Sequence, residues 1–586
     1  MAGGTLLRLA LLALSLASVP TPQATAASPP AIESDTGMVV AAQRLAAQAG
    51  VEILRQGGNA IDAAVAVGYA EAVVNPCCGN IGGGGFLTAR LADGREVFLN
   101  FRETAPAAAT RDMYLDATGN PIRGASLAGW RAVAVPGTVL GLDTALQRYG
   151  SLPRTTVMAA AIRLARDGFV LTDADVDMFA RFERVLRRDP NTARQFLHPD
   201  GTLYMAGETL RQPALAATLQ AIAEQGPAAF YAGAIPQAVE AAAKAGGGII
   251  TAADFAAYRI TEGQPLTCAY RGYTVLSAPP PSSGGTAVCE ILTILEGYDL
   301  RAMGFHSAAS VHAMTEAMRF AFFDRNRFLG DPAFVQNPLD RLLSRDYAAG
   351  LRARITDRAT SSAELGSVAA AVEKPQTTHY SVVDKARNAV AVTYTINGGF
   401  GAGVIAGDTG FLLNNEMDDF TIKPGAANMF GLVQGEANAI APGKRPLSSM
   451  APTVVMKDGQ VRMVLGSPGG SRIITTVAGT ILNMIDYDMA PQEAVDAPRL
   501  HMQWLPDVLY AERRGLSPDT KAVLVAKGYR IEEQTAWGAV ALIAAGFGAP
   551  SSGPAGVDFA ASKAAGAATL SGASDPRRPA GAALAP

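Results

Sequence analysis

The sequence predicts an α+β protein, because helical and β-strand patterns dominate different parts of the chain. Before residue 376, runs rich in Ala, Leu and Arg such as TTVMAAAIRLARDGF and PALAATLQAIAEQG have the composition of helices. From about residue 376 the chain changes to short β runs that are separated by glycine-rich turns. Strands of the second part can share one core with helices of the first, so the two parts need not be independent domains.

Residues 1–27 have the pattern of a secretory signal peptide. Arg8 precedes an apolar run of about eleven residues, and small residues suited to cleavage surround Ala26 and Ala27. A membrane anchor is the weaker alternative, because the run is well short of the ~20 residues that a bilayer span requires. We therefore expect a mature chain without a stable anchor, exported to the periplasm or outside the cell.

The run that follows, AAQRLAAQAGVEILRQGGNAIDAAVAVGYAEAVV, predicts two helices. Gly57 and Gly58 end the first, and Asn59 is a typical N-cap for the second. GREVFLNF predicts a strand in this mainly helical part. Later strands are predicted for HYSVVD, NAVAVTYTI, APTVVMKDGQVRMVLG and PDVLYAE, with a helix in IITTVAGTILNMI. Residues 547–569 are of low complexity, and we interpret them as a mobile loop or insertion.

The bulk composition favours a small or weakly charged substrate. The 586 residues are 49% hydrophobic and 17% charged, and their formal net charge is −3. This balance provides no basic field for nucleic acid and no basic run for an anionic membrane surface. The four cysteines match no zinc pattern, and no metal or cofactor is predicted. A Cys77–Cys78 bridge, a Cys268–Cys289 bridge and free thiols all stay open.

The predicted hairpin that begins at QTTHYS is the best place to look for a site. If Asp384 and Asn388 close a turn over residues 385–387, Thr377 lies opposite Thr395 with both side chains on one face of the sheet. An ordinary pair of threonines is the simpler interpretation of this spacing.

Three glycine clusters place backbone where it approaches another group closely: GNIGGGGF, PPPSSGGT and GSPGGSR. Close packing of chain against chain explains the first two. In GSPGG, neighbouring amides without side chains are also suited to binding one oxyanion.

These motifs occur together with NFRETAP, KRPLSSMAPT and GASDPR, and the set closely resembles γ-glutamyltransferases, also called glutathione hydrolases. The resemblance covers about residues 32–545 and 571–583. It implies an N-terminal nucleophile hydrolase fold, a four-layer αββα sandwich. It also implies that the chain cuts itself between Gln376 and Thr377, giving a large subunit of residues 28–376 and a small subunit of residues 377–586 that form one interleaved heterodimer.

The resemblance assigns the catalytic roles to four residues. A threonine hydroxyl is a poor nucleophile, but the free α-amine on the same residue can act as its general base. Thr377 is thus the expected nucleophile, Thr395 orients its hydroxyl, and the amides of Gly469 and Gly470 form the oxyanion hole.

Matching motifs also assign the residues that bind the glutamyl group. A guanidinium suits a planar carboxylate, and an ammonium requires three acceptors. For the α-carboxylate the expected ligands are Arg102, Ser448 and Ser449. For the α-ammonium they are Asn397, Glu416 and Asp419.

The resemblance implies that the protein cleaves γ-glutamyl compounds, above all glutathione, and transfers the glutamyl group through a Thr377 ester to water, amino acids or peptides. A glutaryl or cephalosporin-type acylase on the same scaffold is one alternative, and an unprocessed binding protein without activity is another. Two departures from the family pattern stand out. Gly398 and Gly399 replace bulkier residues, which predicts a looser acceptor side. Phe430 replaces a tyrosine in the expected lid, which predicts weaker gating.

Overall fold

The computed structural model describes residues 28–366, 377–547 and 568–586. The predicted signal peptide, Gln376 and most of the low-complexity segment 547–569 lie outside these ranges. Within them, two seven-stranded sheets pack face to face, and helices cover the outer face of each.

The strands of the described residues are β1 (Ile32–Ser34), β2 (Gly37–Ala41), β3 (Gly84–Arg90), β4 (Glu96–Asn100), β5 (Phe169–Val170), β6 (Thr209–Leu210), β7 (Thr261–Gly263), β8 (Leu266–Tyr270), β9 (Tyr273–Ser277), β10 (Thr378–Asp384), β11 (Ala389–Thr395), β12 (Thr453–Lys457), β13 (Gln460–Leu465), β14 (Leu500–His501), β15 (Leu509–Glu512), β16 (Ile531–Gln534), β17 (Ala541–Ala545), β18 (Leu570–Ser574) and β19 (Ala582–Leu584).

The α-helices of the same ranges are α1 (Arg44–Arg55), α2 (Ala60–Val74), α3 (Thr138–Tyr149), α4 (Arg154–Asp167), α5 (Asp173–Leu186), α6 (Pro190–Phe196), α7 (Pro213–Gln225), α8 (Ala228–Tyr231), α9 (Ala234–Ala245), α10 (Ala252–Ala257), α11 (Gly284–Leu295), α12 (Leu300–Met303), α13 (Ala308–Phe328), α14 (Leu339–Leu342), α15 (Arg345–Arg352), α16 (Ser362–Leu365), α17 (Arg472–Ile485), α18 (Pro491–Asp496) and α19 (Pro518–Lys527).

Each large sheet combines strands from both sides of position 377. The first sheet has the order β1-β18-β17-β13-β12-β9-β8, and the second has the order β19-β2-β10-β11-β3-β4-β7. The strands β10 and β11 lie at the centre of the second sheet, between β2 and β3. A cut before residue 377 would therefore leave the two pieces interleaved through both sheets.

Three buried cores separate the four layers. The core between the sheets contains side chains such as Met38 and Val383 of the second sheet and Val454 and Ile543 of the first. A second core joins the second sheet to α1, α2 and α4. A third joins the first sheet to α11, α13 and α17. The predicted α+β class and its αββα layering are confirmed.

The start of α2 was predicted correctly from its N-cap residue. The side chain of Asn59 accepts hydrogen bonds from the amides of Ile61 (2.9 Å) and Asp62 (3.0 Å), and Asp62 accepts one from the amide of Asn59 (2.8 Å). This capping box begins the helix at the position that the sequence predicted. Every residue of α2 is buried, because the helix packs between the second sheet and the helices α1, α3 and α4.

Both cysteine pairs that the sequence left open are disulfides. Cys77 is bonded to Cys78 in the loop after α2, and Cys268 of β8 is bonded to Cys289 of α11. The second bridge ties a strand of the first sheet to the helix that covers it. Within the described ranges, no helix combines the length and the apolar character needed to cross a bilayer.

Candidate active site

The hairpin of β10 and β11 brings the two predicted catalytic threonines together. Its turn closes with a hydrogen bond of 3.1 Å from the amide of Asp384 to the carbonyl oxygen of Asn388. The pairing of the two strands follows the predicted register. Thr377, directly before β10, and Thr395, at the end of β11, line the same pocket. The register prediction is confirmed.

This pocket has a volume of about 300 Å³, part of it open to solvent, and the lid segment, residues 424–435, contributes Phe430 and Leu432 to its lining. Nine of the ten predicted site residues line it, and the tenth, Gly469, precedes the lining residue Gly470 in the chain. The lining residues are Arg102, Arg325, Thr377, Thr395, Asn397, Glu416, Asp419, Phe430, Leu432, Ser448, Ser449, Met450, Gly470 and Ile473.

Both threonine side chains are almost fully buried, with 4% of Thr377 and 3% of Thr395 exposed. The Oγ1 atom of Thr395 accepts a hydrogen bond of 2.8 Å from the amide of Asn397. Because the hydroxyl proton of Thr395 is not used in that bond, it can be donated to a neighbouring oxygen. Thr395 is therefore suited to holding the hydroxyl of the residue opposite.

His379 is close in sequence to the predicted nucleophile, Thr377, but is unsuited to act as a base. Its Nδ1 atom lies 2.8 Å from Oγ1 of Thr393, and its Nε2 atom lies 3.1 Å from Oγ of Ser381. Burial lowers the pKa of His379 to about 3, so the ring is a weak base with both nitrogens already bonded.

Gly469 and Gly470 lie between the end of β13 and the start of α17. Their φ angles, 142° and 56°, are in the region that favours glycine. A Cβ atom on Gly470 would lie 2.5 Å from Cδ1 of Phe430, so only glycine fits beneath that ring. The two amides precede the N-terminus of a long helix, where partial positive charge stabilises an anion. The loop can therefore act as an oxyanion hole.

Arg102 is fully buried at the base of the pocket. Its guanidinium group bonds to the carboxylates of Glu416 and Asp419, with a third carboxylate, that of Glu103, at 3.4 Å. Its Nε atom donates to the carbonyl oxygen of Pro446 (3.1 Å). Arg102 thus pairs with the two carboxylates that the resemblance assigned to the ammonium.

Three buried carboxyl groups around one guanidinium group make this cluster sensitive to pH. Burial raises the pKa of Glu416 and of Asp419, and it raises the pKa of Glu103 to about 7, while Arg102 opposes the shift in each case. The cluster therefore holds protons at a higher pH than exposed carboxylates do.

The sequence analysis missed a second arginine in the pocket. Arg325 of α13 is 1% exposed and donates to Oγ of Ser449 (3.1 Å), Oγ of Ser283 (2.9 Å) and Oε1 of Gln434 (3.0 Å). Burial lowers its pKa to about 10, so it is still a cation at neutral pH. Among the described residues, no carboxylate lies within ion-pair distance of it. Arg325 adds positive charge on the side of the two serines.

A signal for Arg325 was present in the sequence. In the sequence, Met314, Met318 and Phe322 recur at helical spacing and Arg325 continues their line, and α13 is in fact buried on nearly all sides. A charged side chain on the apolar face of a helix almost always has a partner or a function.

The lid segment closes the pocket at Phe430. This residue is 4% exposed, and its ring lies over Gly470. The carboxylate of Asp418 accepts hydrogen bonds from the amide of Met429 in the lid (2.9 Å) and from Oγ of Ser126 (2.6 Å). Asp418 thus connects the lid to the segment that contains Ser126. Apolar packing and backbone hydrogen bonds thus hold this lid.

The glycines at 398 and 399 leave less space than their size suggests. A Cβ atom on Gly399 would lie 2.4 Å from the ring of Phe182, so an aromatic side chain of α5 fills the volume. Phe182 has non-helical backbone angles, φ −109° and ψ 15°, which bend α5 at this point. Its ring also packs against Phe400 at 5.8 Å.

The sequence model of the family described as γ-glutamyltranspeptidase matches residues 46–585. The chain belongs to the γ-glutamyltranspeptidase family. It is 53% identical to the glutathione hydrolase proenzyme of Pseudomonas sp. (strain A14), over 95% of this chain and 96% of that protein. It is 48% identical to the glutathione hydrolase proenzyme of Escherichia coli (strain K12), over 88% and 89%.

Among solved structures, the cephalosporin acylase from Bacillus halodurans is similar, with a TM-score of 0.81 and 27% identity over 98% of this chain and 99% of that one. The fold is that of the N-terminal nucleophile hydrolases, and the protein is an enzyme of its family, as the motifs implied.

Proposed function

We propose that the protein is a self-processing γ-glutamyltransferase and glutathione hydrolase with Thr377 as its N-terminal nucleophile. The observation that carries this proposal is one pocket that contains Thr377, Thr395, the glycine amides and a charged cluster suited to an α-amino acid. Family membership supports the class of reaction.

Cleavage between Gln376 and Thr377 creates the group that the reaction needs. The new α-amine of Thr377 takes the proton from its own hydroxyl, and the oxygen attacks the γ-carbonyl carbon of the substrate. Thr395 donates a hydrogen bond that fixes the direction of attack. The amine of the substrate leaves with the proton, and a γ-glutamyl ester of Thr377 is formed.

The oxyanion of each tetrahedral intermediate is bound by the amides of Gly469 and Gly470. One such donor typically contributes about 3 kcal/mol of transition-state stabilisation. Water or the amine of an amino acid or peptide then attacks the ester, and the reverse proton path frees Thr377. Hydrolysis and transfer thus differ only in the second nucleophile.

The charged cluster binds the amino-acid end of the glutamyl group. The substrate ammonium approaches Asn397, Glu416 and Asp419, and the α-carboxylate approaches Ser448, Ser449 and the guanidinium groups. When the zwitterion enters, its ammonium competes with Arg102 for the carboxylates, which frees guanidinium donors for the substrate carboxylate. Arg325 adds a second cation on that side.

Glutathione is the proposed main donor, because the relatives of highest similarity above are named glutathione hydrolase proenzymes. The name proenzyme supports processing into two subunits, residues 28–376 and 377–586. The signal pattern of residues 1–27 supports export to the periplasm or out of the cell, with no anchor left after its removal.

A cephalosporin-type acylase is the second candidate, favoured by the similarity to the enzyme from Bacillus halodurans. Glutaryl groups lack the α-ammonium, so they would leave the carboxylates of Glu416 and Asp419 without a partner other than Arg102. The acidic side of the pocket therefore favours the γ-glutamyl group.

Two measurements test the proposal together. Intact mass should show wild-type protein cut before Thr377 and a Thr377→Ala variant uncut. The processed enzyme should turn over γ-glutamyl-p-nitroanilide at least 100-fold faster than glutaryl-p-nitroanilide. A wild-type chain that stays whole and releases no nitroaniline would support the inactive binding protein, and preference for the glutaryl compound would support the acylase.

A further inference from the structure

Gln503, two residues after the end of β14, occupies a position that no substrate role explains. It is 2% exposed, and all four of its amide hydrogen-bonding positions face a partner. Its Oε1 atom accepts from Oγ of Ser471 (2.6 Å) and lies 2.9 Å from Nε2 of His501. Its Nε2 atom donates to the carbonyl oxygens of Phe430 (3.0 Å) and Leu505 (3.2 Å).

These partners belong to two parts of the active site. Phe430 is the lid residue whose ring covers Gly470. Ser471 follows Gly470 in the loop of residues 466–471, which we call the oxyanion loop. Gln503 thus joins the backbone of the lid to the oxyanion loop through a single side chain. The ring of Phe430, which lies over Gly470, is a further link between the two segments.

The orientation of this amide follows from its partners. The carbonyl oxygens of Phe430 and Leu505 can only accept, so the amide nitrogen of Gln503 faces them and its oxygen faces Ser471 and His501. Burial lowers the pKa of His501 to about 3, so the ring is neutral. Its Nε2 atom therefore carries the proton that Oε1 of Gln503 accepts, and its Nδ1 atom, 2.9 Å from Oγ1 of Thr475, is the acceptor.

The hydrogen bond from Gln503 to the backbone of Phe430 matters because the ring of Phe430 has no polar group of its own. Backbone amides of the lid donate to the side chains of Asp418 and Asn428, and the carbonyl oxygen of Phe430 accepts from Gln503, whose own oxygen accepts from Ser471 of the oxyanion loop. Closure of a lid can complete a catalytic site only if the lid and the site move together.

We propose that Gln503 is a positioning residue that couples closure of the lid to the geometry of the oxyanion loop. The inference rests on the proposed function of the pocket. In this arrangement, docking of Phe430 orients Gln503, and Gln503 in turn holds Ser471 and the adjoining amides in the position that binds the oxyanion. Substrate binding and transition-state stabilisation then depend on the same amide.

The test replaces Gln503 with methionine, which has a similar length and none of the amide hydrogen bonds. A lid effect alone would raise KM, and an effect on the oxyanion loop alone would lower kcat. If Gln503 couples the lid to the oxyanion loop, processed Gln503→Met enzyme should show both changes. With γ-glutamyl-p-nitroanilide we expect kcat to be at least 10-fold lower and KM at least 3-fold higher than in wild type. In a Phe430→Ala background, the same substitution should cost less than 3-fold in kcat/KM, because the coupled lid is already lost.

A second readout needs no substrate. Chymotrypsin should cut after Phe430 at least 5-fold faster in Gln503→Met than in wild type, as measured from the mass of the fragment that ends at Phe430. This assay reports on the lid even if γ-glutamyl turnover is absent, so failure of the proposed function and failure of the coupling are distinguishable.

Gln212 offers a matched control. It is 1% exposed, its amide donates to the carbonyl oxygen of Val73 (2.8 Å) and accepts from Gln195 (3.2 Å), and it lies outside the pocket. Gln212→Met should lower the melting temperature and leave both kinetic constants and the cutting rate within twofold of wild type. The coupling is wrong if Gln503→Met does the same, or if its loss in kcat/KM is undiminished in the Phe430→Ala background.

Discussion

Two neighbouring threonines at the start of the hairpin, Thr377 just before β10 and Thr378 as its first residue, face opposite sides of the sheet. Thr377 faces the pocket, together with the proposed catalytic partners. Thr378 faces α2, where its Oγ1 atom accepts from Asn75 (3.2 Å) and donates to Glu71 (3.4 Å). Both side chains are buried and chemically identical, so the direction of each side chain, set by the alternation of the strand, decides which one is available for chemistry.

The opposite face is packed too closely to admit a substrate. A Cβ atom on Gly79 would lie 2.5 Å from Thr378, and one on Gly68 would lie 2.6 Å from the hydroxyl of Tyr380. The same strand thus presents a cavity on one side and close-packed helix on the other. Four predictions test this contrast, in decreasing order of expected effect.

The largest effect separates the two threonines directly. Thr377→Ala removes the nucleophile and should lower turnover of γ-glutamyl-p-nitroanilide by more than about 10⁴-fold. Thr378→Ala should leave the protein cut before Thr377 and kcat within about threefold of wild type, while the lost hydrogen bonds lower the free energy of unfolding by about 1–2 kcal/mol. A loss of turnover in Thr378→Ala that equals that in Thr377→Ala would contradict the contrast.

On the pocket face, Thr395→Val should lower kcat by about 10- to 100-fold, the range expected for one hydrogen bond to a group that develops charge. KM should change much less, because Thr395 acts on the nucleophile. Thr393→Val is the matched control. Thr393 lies two residues before Thr395 on β11, and its hydroxyl lies 2.8 Å from Nδ1 of His379, outside the pocket. We expect that control to lose stability and to keep its kcat; equal losses of kcat would rule out a specific role for Thr395.

The pH dependence of kcat/KM tests whether titrating groups of the pocket, and not those on the α2 side of the sheet, control the reaction. The α-amine of Thr377 must be neutral to act as a base, with an ordinary pKa of about 7.7–8.0. Burial raises the pKa values of Glu416 and Asp419, the proposed ammonium ligands, and raises that of the neighbouring Glu103 to about 7, so this cluster should become ionised, and the ligands able to bind the ammonium, as the pH rises. Both requirements make kcat/KM rise between about pH 6 and pH 8.

Glu71 provides the control for that profile. Burial raises the pKa of Glu71 to about 7, but Glu71 lies on the α2 side of the strand and not in the pocket. The kcat/KM profile of Glu71→Gln should therefore keep the shape and midpoint of the wild-type profile. A shifted midpoint would mean that the two faces communicate.

The smallest effect concerns stability on the α2 side. The folded-state pKa of Glu71 lies above its ordinary value, so the folded protein holds a proton that the unfolded chain releases at lower pH. The contribution of Glu71 to stability therefore falls as the pH rises towards 7. Glu71→Gln should reduce the decline in melting temperature between pH 5 and pH 7 by a few degrees, whereas Glu224→Gln on the exposed surface of α7 should not. An unchanged slope in Glu71→Gln would show that this carboxyl group does not titrate in that range.

The hairpin was predictable because its information is local. The turn residues and the alternation of side chains fix the register of two adjacent strands, and the register alone brings Thr377 opposite Thr395. The capped start of α2 was predictable for the same reason. Motif resemblance then identified the pocket residues that come from distant loops, because each lies in a short segment that can be recognised by itself, such as NFRETAP or KRPLSSMAPT.

Arg325, Gln503 and Phe182 were missed because their importance depends on contacts between elements far apart in the chain. Arg325 meets Ser449 only where α13 packs beside the loop after the lid. Gln503 reaches Phe430 and Ser471 only because β14 ends between them. The prediction of a looser acceptor side from Gly398 and Gly399 did not anticipate Phe182, which α5 supplies.

The sequence by itself determined the class of fold, the family and the strand register of the catalytic hairpin, since short-range spacing and motif order suffice for these. The tertiary structure alone decided the pairing of all four cysteines, the place of Arg325 beside the serines and the link from the lid to the oxyanion loop. The physical reason is that burial and long-range packing bring these groups together, and neither is written in any one segment of the chain.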